Sequence, residues 1–145
     1  MYPKVLVFLQ FSLIGLMLFF SNGFSIFFSD ATAPSVFVMG LSIGLWALNH
    51  NQLGNFNIQP KMKEHARLVT TGIYGLIRHP MYTSVIVMMF SVLISTFISI
   101  EIVLFITLIL VLLLKAHKEE SLWIAQNKDY QHYKEKTKYF IPYIL

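Results

Sequence analysis

Leu68-Val-Thr-Thr-Gly-Ile-Tyr-Gly-Leu-Ile-Arg-His-Pro-Met-Tyr82 is a polar, turn-rich stretch lodged between long apolar runs. A lipid bilayer tolerates irregular backbone only where protein or a water-filled cavity satisfies its polar groups. Gly72, Gly75 and Pro80 mark the place where the chain leaves regular helix. Arg78 and His79 add a fixed charge and a titratable ring at the lip of the next apolar run. The expectation is a binding site near one face of a membrane.

The runs around this stretch set the fold class. The expected spans are 5–28, 33–50, 80–97 and 99–116, judged against the ~20 residues a helix needs to cross a ~30 Å hydrocarbon core. Pro34 suits a first helical turn, where a missing N–H costs little, and Pro80 opens the third span in the same way. The last two spans follow so closely that a tight hairpin around 96–99 is expected. Beyond them, 117–138 reads as a C-terminal helix that either prolongs the fourth span or lies along the interface, stopped by Pro142. Residues 1–145 thus read as a single all-α domain, a polytopic helical membrane protein with about four transmembrane helices and a C-terminal cytoplasmic or interfacial helix.

Composition agrees. The chain is 56% hydrophobic and 12% charged, with a mean hydropathy of +0.63, far from an ordinary soluble domain. It contains no cysteine, which excludes a disulfide framework, a thiolate metal site and a cysteine nucleophile. A net charge of +4 could suggest nucleic acid, but the placement of the basic residues argues for membrane topology instead. With four spans, the N-terminus, the 49–80 connection and the tail share one side. All eleven Lys and Arg residues fall there: Lys4, Lys61, Lys63, Arg67, Arg78, Lys115, Lys118, Lys128, Lys134, Lys136 and Lys138. Asp30 and Glu101 are the charges left for the opposite side. The positive-inside bias makes the crowded side cytoplasmic, so both termini are expected in the cytoplasm and the protein in a bacterial inner membrane. The first run is read as an uncleaved span, because Ser21-Asn-Gly-Phe-Ser25 offers no good small-residue cleavage site.

Few residues carry chemistry. Lys115 and Glu119 are four apart and share a helix face just beyond the membrane, with Glu120 about 100° round. A solvated helix end would explain them. On an otherwise cationic surface, though, two adjacent carboxylates want a cationic partner: a bound ammonium or sulfonium ligand, or Arg78. Glu101 reads as an interfacial residue at the far end of its helix. His50, His65, His79, His117 and His132 show no metal-ligand spacing, and no HExxH element is present. Phosphate loops, nucleophile elbows and dinucleotide fingerprints are also missing from the sequence. The aromatics among basic residues at 130–143 suit interface anchoring better than nucleic-acid stacking. Gln59, in Asn55-Phe-Asn-Ile-Gln59, could bond a polar ligand. Beyond Gln10, Asn22, Ser and Thr, the spans hold little that is polar, and no intramembrane charge pair of the kind a pump needs.

In order, these elements resemble the integral-membrane methyltransferases of the isoprenylcysteine carboxyl methyltransferase and phospholipid methyltransferase superfamily. The resemblance covers roughly residues 55–142. It rests on Leu68-Val69-Thr70, Gly72-x-Tyr74, Arg78-His79-Pro80-x-Tyr82, a helical hairpin, Glu119-Glu120, Tyr130-x-x-Tyr133 and Ile141-Pro142. It implies S-adenosylmethionine in a cytoplasm-facing pocket closed by the last two spans and the C-terminal helix. Gln59 would hold the cofactor's polar end, and Ala66, Arg67, Leu68 and Val69 would border it largely through backbone. Tyr74 would add an aromatic wall, and His79, Pro80, Met81 and Tyr82 would line the cofactor. Glu119 would take its ammonium group, with Glu120 able to exchange roles. Arg78 and Lys115 are the substrate-side cations, Arg78 also being suited to pair with a carboxylate. Lys115 stands where the family often has arginine, and the Phe-Gly often found before Tyr130 is absent.

The expected function is methyl transfer to a lipophilic substrate, an isoprenoid-type carboxylate or a phospholipid amine, at the cytoplasmic face. Positioning rather than acid–base catalysis should dominate. No metal and no nucleic acid are expected as partners, and the oligomeric state is not legible. The rival reading is a non-catalytic membrane protein or small transporter that retains the fold.

Overall fold

The computed structural model describes residues 3–21, 24–51 and 68–142. Among them lie helices α1 (Pro3–Phe20), α2 (Phe24–Phe27), α3 (Thr32–His50), α4 (Pro80–Thr96), α5 (Ser99–Gln126) and α6 (Asp129–Lys136), and a 3₁₀ turn at Gly72–Gly75. Helices α1, α3 and α5 are long and apolar enough to cross a membrane, and α4 is an apolar helix of 17 residues. Phe8, Phe11, Phe19, Val103, Ile106 and Leu110 point outward. In water such a surface would aggregate; in lipid it is the solvent-matched face. The chain is an all-α, polytopic membrane protein.

The helix limits depart from the sequence expectation in two places. The expected 5–28 span divides, with α1 stopping at Phe20 and α2 beginning at Phe24; the polar Ser21-Asn-Gly intervenes in the sequence. Conversely, α5 does not stop at 116 but runs 28 residues to Gln126. Nothing between 116 and 126 breaks a helix, since charge alone does not and neither Gly nor Pro occurs there. At ~1.5 Å per residue α5 is about 42 Å long, so its last turns stand clear of the hydrocarbon. The C-terminal helix is correspondingly short. It starts after an Asn127 turn, where the side chain accepts the Asp129 N–H at 2.9 Å, and ends at Lys136.

Each packing face follows helical spacing. Leu6, Gln10, Leu13 and Met17 form the buried stripe of α1. Leu6, Leu13 and Met17 meet Leu108, Val111 and Leu112 of α5 and Met89, Val92 and Leu93 of α4 in the main core. The α4–α5 hairpin turns at Phe97, in the left-handed region at φ 51, and Thr96 Oγ1 donates to Glu101 Oε2. Glu101 lies in the first turn of α5, at the far end of the helix as expected, and is 0% exposed, packed against protein rather than open to the interface.

Helices α3 and α4 meet through Gly40-x-x-x-Gly44, a small-residue stripe that lets membrane helices approach closely. Ser84 Oγ donates to the Gly40 carbonyl at 2.7 Å. A Cβ at Gly44 would sit 2.6 Å from Ser84 Oγ, whereas one at Gly15 would meet nothing within 4 Å. Gly44→Val is thus expected to lower stability by about 1–3 kcal/mol through overpacking. Gly15→Ala should be neutral or slightly stabilising. Thermal unfolding in detergent checks this, and an unchanged midpoint for Gly44→Val would contradict the close α3–α4 contact.

Candidate functional site

The site is built where 68–82 meets the C-terminal tail. After an extended approach, Gly72 takes φ +59, and a Cβ there would lie 2.2 Å from the His50 ring. Only glycine fits that turn. The 3₁₀ turn drops Ile73 against Ala47 and Ile77, fixing it on the end of α3. Chain 76–79 then pairs with the segment after α6. Arg78 N–H donates to the Lys138 carbonyl at 2.7 Å and His79 N–H to the Tyr139 carbonyl at 3.1 Å, while Lys138 N–H returns to the Leu76 carbonyl at 3.2 Å. Two side chains lock this strap: Tyr133 donates to the Tyr74 carbonyl at 2.6 Å and Thr83 to the Phe140 carbonyl at 2.9 Å. Pro80 then opens α4, with His79 held out of the helical region at φ −123 as a residue before proline usually is.

Arg78 is buried, and its Nε and Nη1 donors are engaged. Nε donates to Glu120 Oε1 at 2.5 Å, and the guanidinium also bonds the carbonyls of Lys134, at 3.1 Å, and Thr137. Its carbon lies 4.5 Å from the Tyr139 ring centre. Lys134 Nζ reaches the other Glu120 oxygen at 3.1 Å. Of the two cationic partners that sequence left open for the acidic pair, Arg78 serves Glu120.

Glu119 is placed differently. Its side chain is 22% exposed against 2% for Glu120. Tyr82 donates to Glu119 Oε1 at 2.5 Å, and His79 Nδ1 lies 3.7 Å from Oε2. The His79 ring is stacked between Tyr82, at 5.5 Å, and Tyr139, at 5.6 Å, while its Nε2 is 3.4 Å from Glu120 Oε1. Tyr74 completes the neighbourhood. Burial pushes its phenol up to about 12, against a hydrogen bond from Asn51 that lowers it, with the Glu119 charge adding to the rise. It stays neutral at physiological pH and is no base. Burial raises the Tyr133 and Tyr139 phenols as well.

Tyr74, His79, Tyr82, Glu119, Glu120 and Arg78 are therefore brought together. Lys115 joins from below: it is 2% exposed, donates to Gln10 Oε1 at 2.5 Å and sits 5.0 Å from the Tyr82 ring centre. Pro80 is buried at the start of α4. Met81 packs toward Ala47, Ile73 and Ile77, and Leu68 and Val69 lie partly buried ahead of the 3₁₀ turn. Gln59, Ala66 and Arg67 lie outside the described residues. Among the described residues no group of three His, Asp or Glu side chains is placed to hold a metal ion.

Sequence reasoning missed the strap. Tyr130, Tyr133 and Phe140, read as interface anchors, are buried in the protein, because α6 folds back and closes the site. Thr137 carried no signal of its own, and Tyr139 was read as one of the interface aromatics. Gln10 did, as a lone amide in an apolar stripe, but nothing in the sequence paired it with Lys115.

Comparison with known proteins adds one match. A model of the isoprenylcysteine carboxyl methyltransferase (ICMT) family matches residues 33–125, well over half of the chain. It covers α3, the 68–82 stretch and most of α5, and leaves α1, α6 and the strap outside. No curated protein matches.

Proposed function

The chain belongs to the isoprenylcysteine carboxyl methyltransferase family, and on that premise we propose that it transfers a methyl group from S-adenosylmethionine to a lipophilic acceptor. The reaction would take place at the cytoplasmic face of the membrane. The observation that carries this reading is the division of labour between the two carboxylates. Glu120 is buried and neutralised by Arg78 and Lys134. Glu119 keeps part of its surface open and is held by a neutral hydroxyl. A partly exposed carboxylate beside stacked aromatic rings suits an ammonium group next to an apolar body.

In this reading Glu119 holds the cofactor's ammonium group, while Tyr74, His79 and Tyr82 wall its body. Gln59, Ala66, Arg67, Leu68 and Val69 border the remainder. When bound, S-adenosylmethionine supplies a methyl group on a sulfonium, open to in-line displacement. The protein's part is positioning and exclusion of water. Arg78 and Glu120 tie α5 to the strap so that Glu119 keeps its place, and Tyr139 stacked on His79 covers the inner side. The positive-inside pattern of the eleven basic residues supports a cytoplasmic site with both termini on that side; the membrane proposed is a bacterial inner one.

The acceptor enters from the bilayer as an isoprenoid-type carboxylate or a phospholipid amine. A carboxylate acceptor is favoured because it needs no base, whereas an amine must first be deprotonated. The test is incubation of purified protein with lipid extract and methyl-labelled cofactor. A carboxylate acceptor gives an organic-phase product whose label mild alkali releases as methanol; a phospholipid amine keeps its label. No label in any lipid would overturn the enzymatic reading in favour of a non-catalytic relative.

A further inference from the structure

Gln10 stands in the buried stripe of α1, a helix outside the matched family region. Its Oε1 accepts from Lys115 Nζ at 2.5 Å. The same ammonium lies 5.0 Å from the Tyr82 ring centre, and the Tyr82 hydroxyl donates to Glu119. Lys115 precedes Glu119 by one helical turn, so both leave the same face of α5. In a site this dry, an ammonium and a carboxylate one turn apart attract strongly. The ammonium is instead held by an amide oxygen and an aromatic face. Both are neutral, so they satisfy the cation without a close ion pair to Glu119, although the two charges still attract each other across the gap.

We propose that Gln10 is a positioning residue of the cofactor site, holding the Lys115 ammonium away from Glu119 and leaving that carboxylate open to an incoming ammonium group. The inference rests on Glu119 being the cofactor's anchor. With leucine at position 10, the stranded Lys115 turns to Glu119, and the resulting internal ion pair competes with the cofactor. Removing Lys115 as well removes the competitor.

Calorimetric titration with S-adenosylhomocysteine, which carries the same ammonium group, tests this on purified full-length protein. Gln10→Leu is expected to bind about tenfold more weakly than the parent, the size of one lost charge-assisted contact. The double variant Gln10→Leu/Lys115→Met should return to within about twofold of it. A purely structural Gln10 gives the reverse, a double variant as weak as the single one. Where Gln10→Leu fails to fold, Gln10→Asn takes its place: the shorter amide no longer reaches Lys115, and the same weakening, relieved by Lys115→Met, is expected. Parental affinity for Gln10→Leu alongside weakened Glu119→Gln would overturn this inference alone. Absence of binding by the parent protein would overturn the anchor reading with it.

Discussion

Glu119→Gln is expected to weaken S-adenosylhomocysteine binding by about fiftyfold, the scale of one hydrogen bond to a charged group in a partly dry site. The substitution is close to isosteric. Its amide oxygen still accepts from Tyr82, which donates at 2.5 Å in the parent protein, so the fold around His79 should hold. What changes is the attraction for a cation. Glu101→Gln is the matched control, because Glu101 lies at the opposite end of α5, bonded to Thr96. Calorimetry on the two variants should separate them clearly. Equal affinities would remove Glu119 from the cofactor site.

The second large effect concerns stability. Arg78→Met strips Glu120 of its closest partner and removes the donor from the Lys134 carbonyl of α6 and the Thr137 carbonyl of the strap. A buried carboxylate losing its pair costs about 3–5 kcal/mol. Lys134 and His79 remain near Glu120, which places the expected loss at about 3 kcal/mol. Arg78→Lys should not rescue, since a compact ammonium cannot reach Glu120 and both carbonyls together. Arg78→Met/Glu120→Leu should recover part of the loss by removing the orphaned charge. Unfolding in detergent, followed together with protease cleavage after α6, measures all three. A fully stable Arg78→Met would mean that the strap is held by its backbone pairing alone.

These two predictions mark where sequence could and could not lead. The fold class was legible because apolar runs of membrane length leave little else to build. The Gly40-x-x-x-Gly44 stripe was also there to be read. Arg78 was legible as a candidate partner for the acidic pair, but which carboxylate it takes was not. Glu119 and Glu120 are about 100° apart on one helix, and their roles depend on which face the strap covers. That strap, 137–140, has no periodicity and pairs with a segment some sixty positions earlier. A backbone bridge between Ile77 and Lys138 leaves no compositional trace. For the same reason the aromatic tail read as a lipid anchor when it is a lid packed on His79. Gln10 and Lys115 were each visible, and only the approach of α1 to α5 makes them a pair.

Calorimetric titration of the folded parent protein with S-adenosylhomocysteine decides whether Glu119 anchors a cofactor. Saturable binding of one molecule per chain is expected, weakened about fiftyfold on Glu119→Gln and retained on Glu101→Gln. Absence of binding by folded protein, or binding indifferent to Glu119, would contradict it.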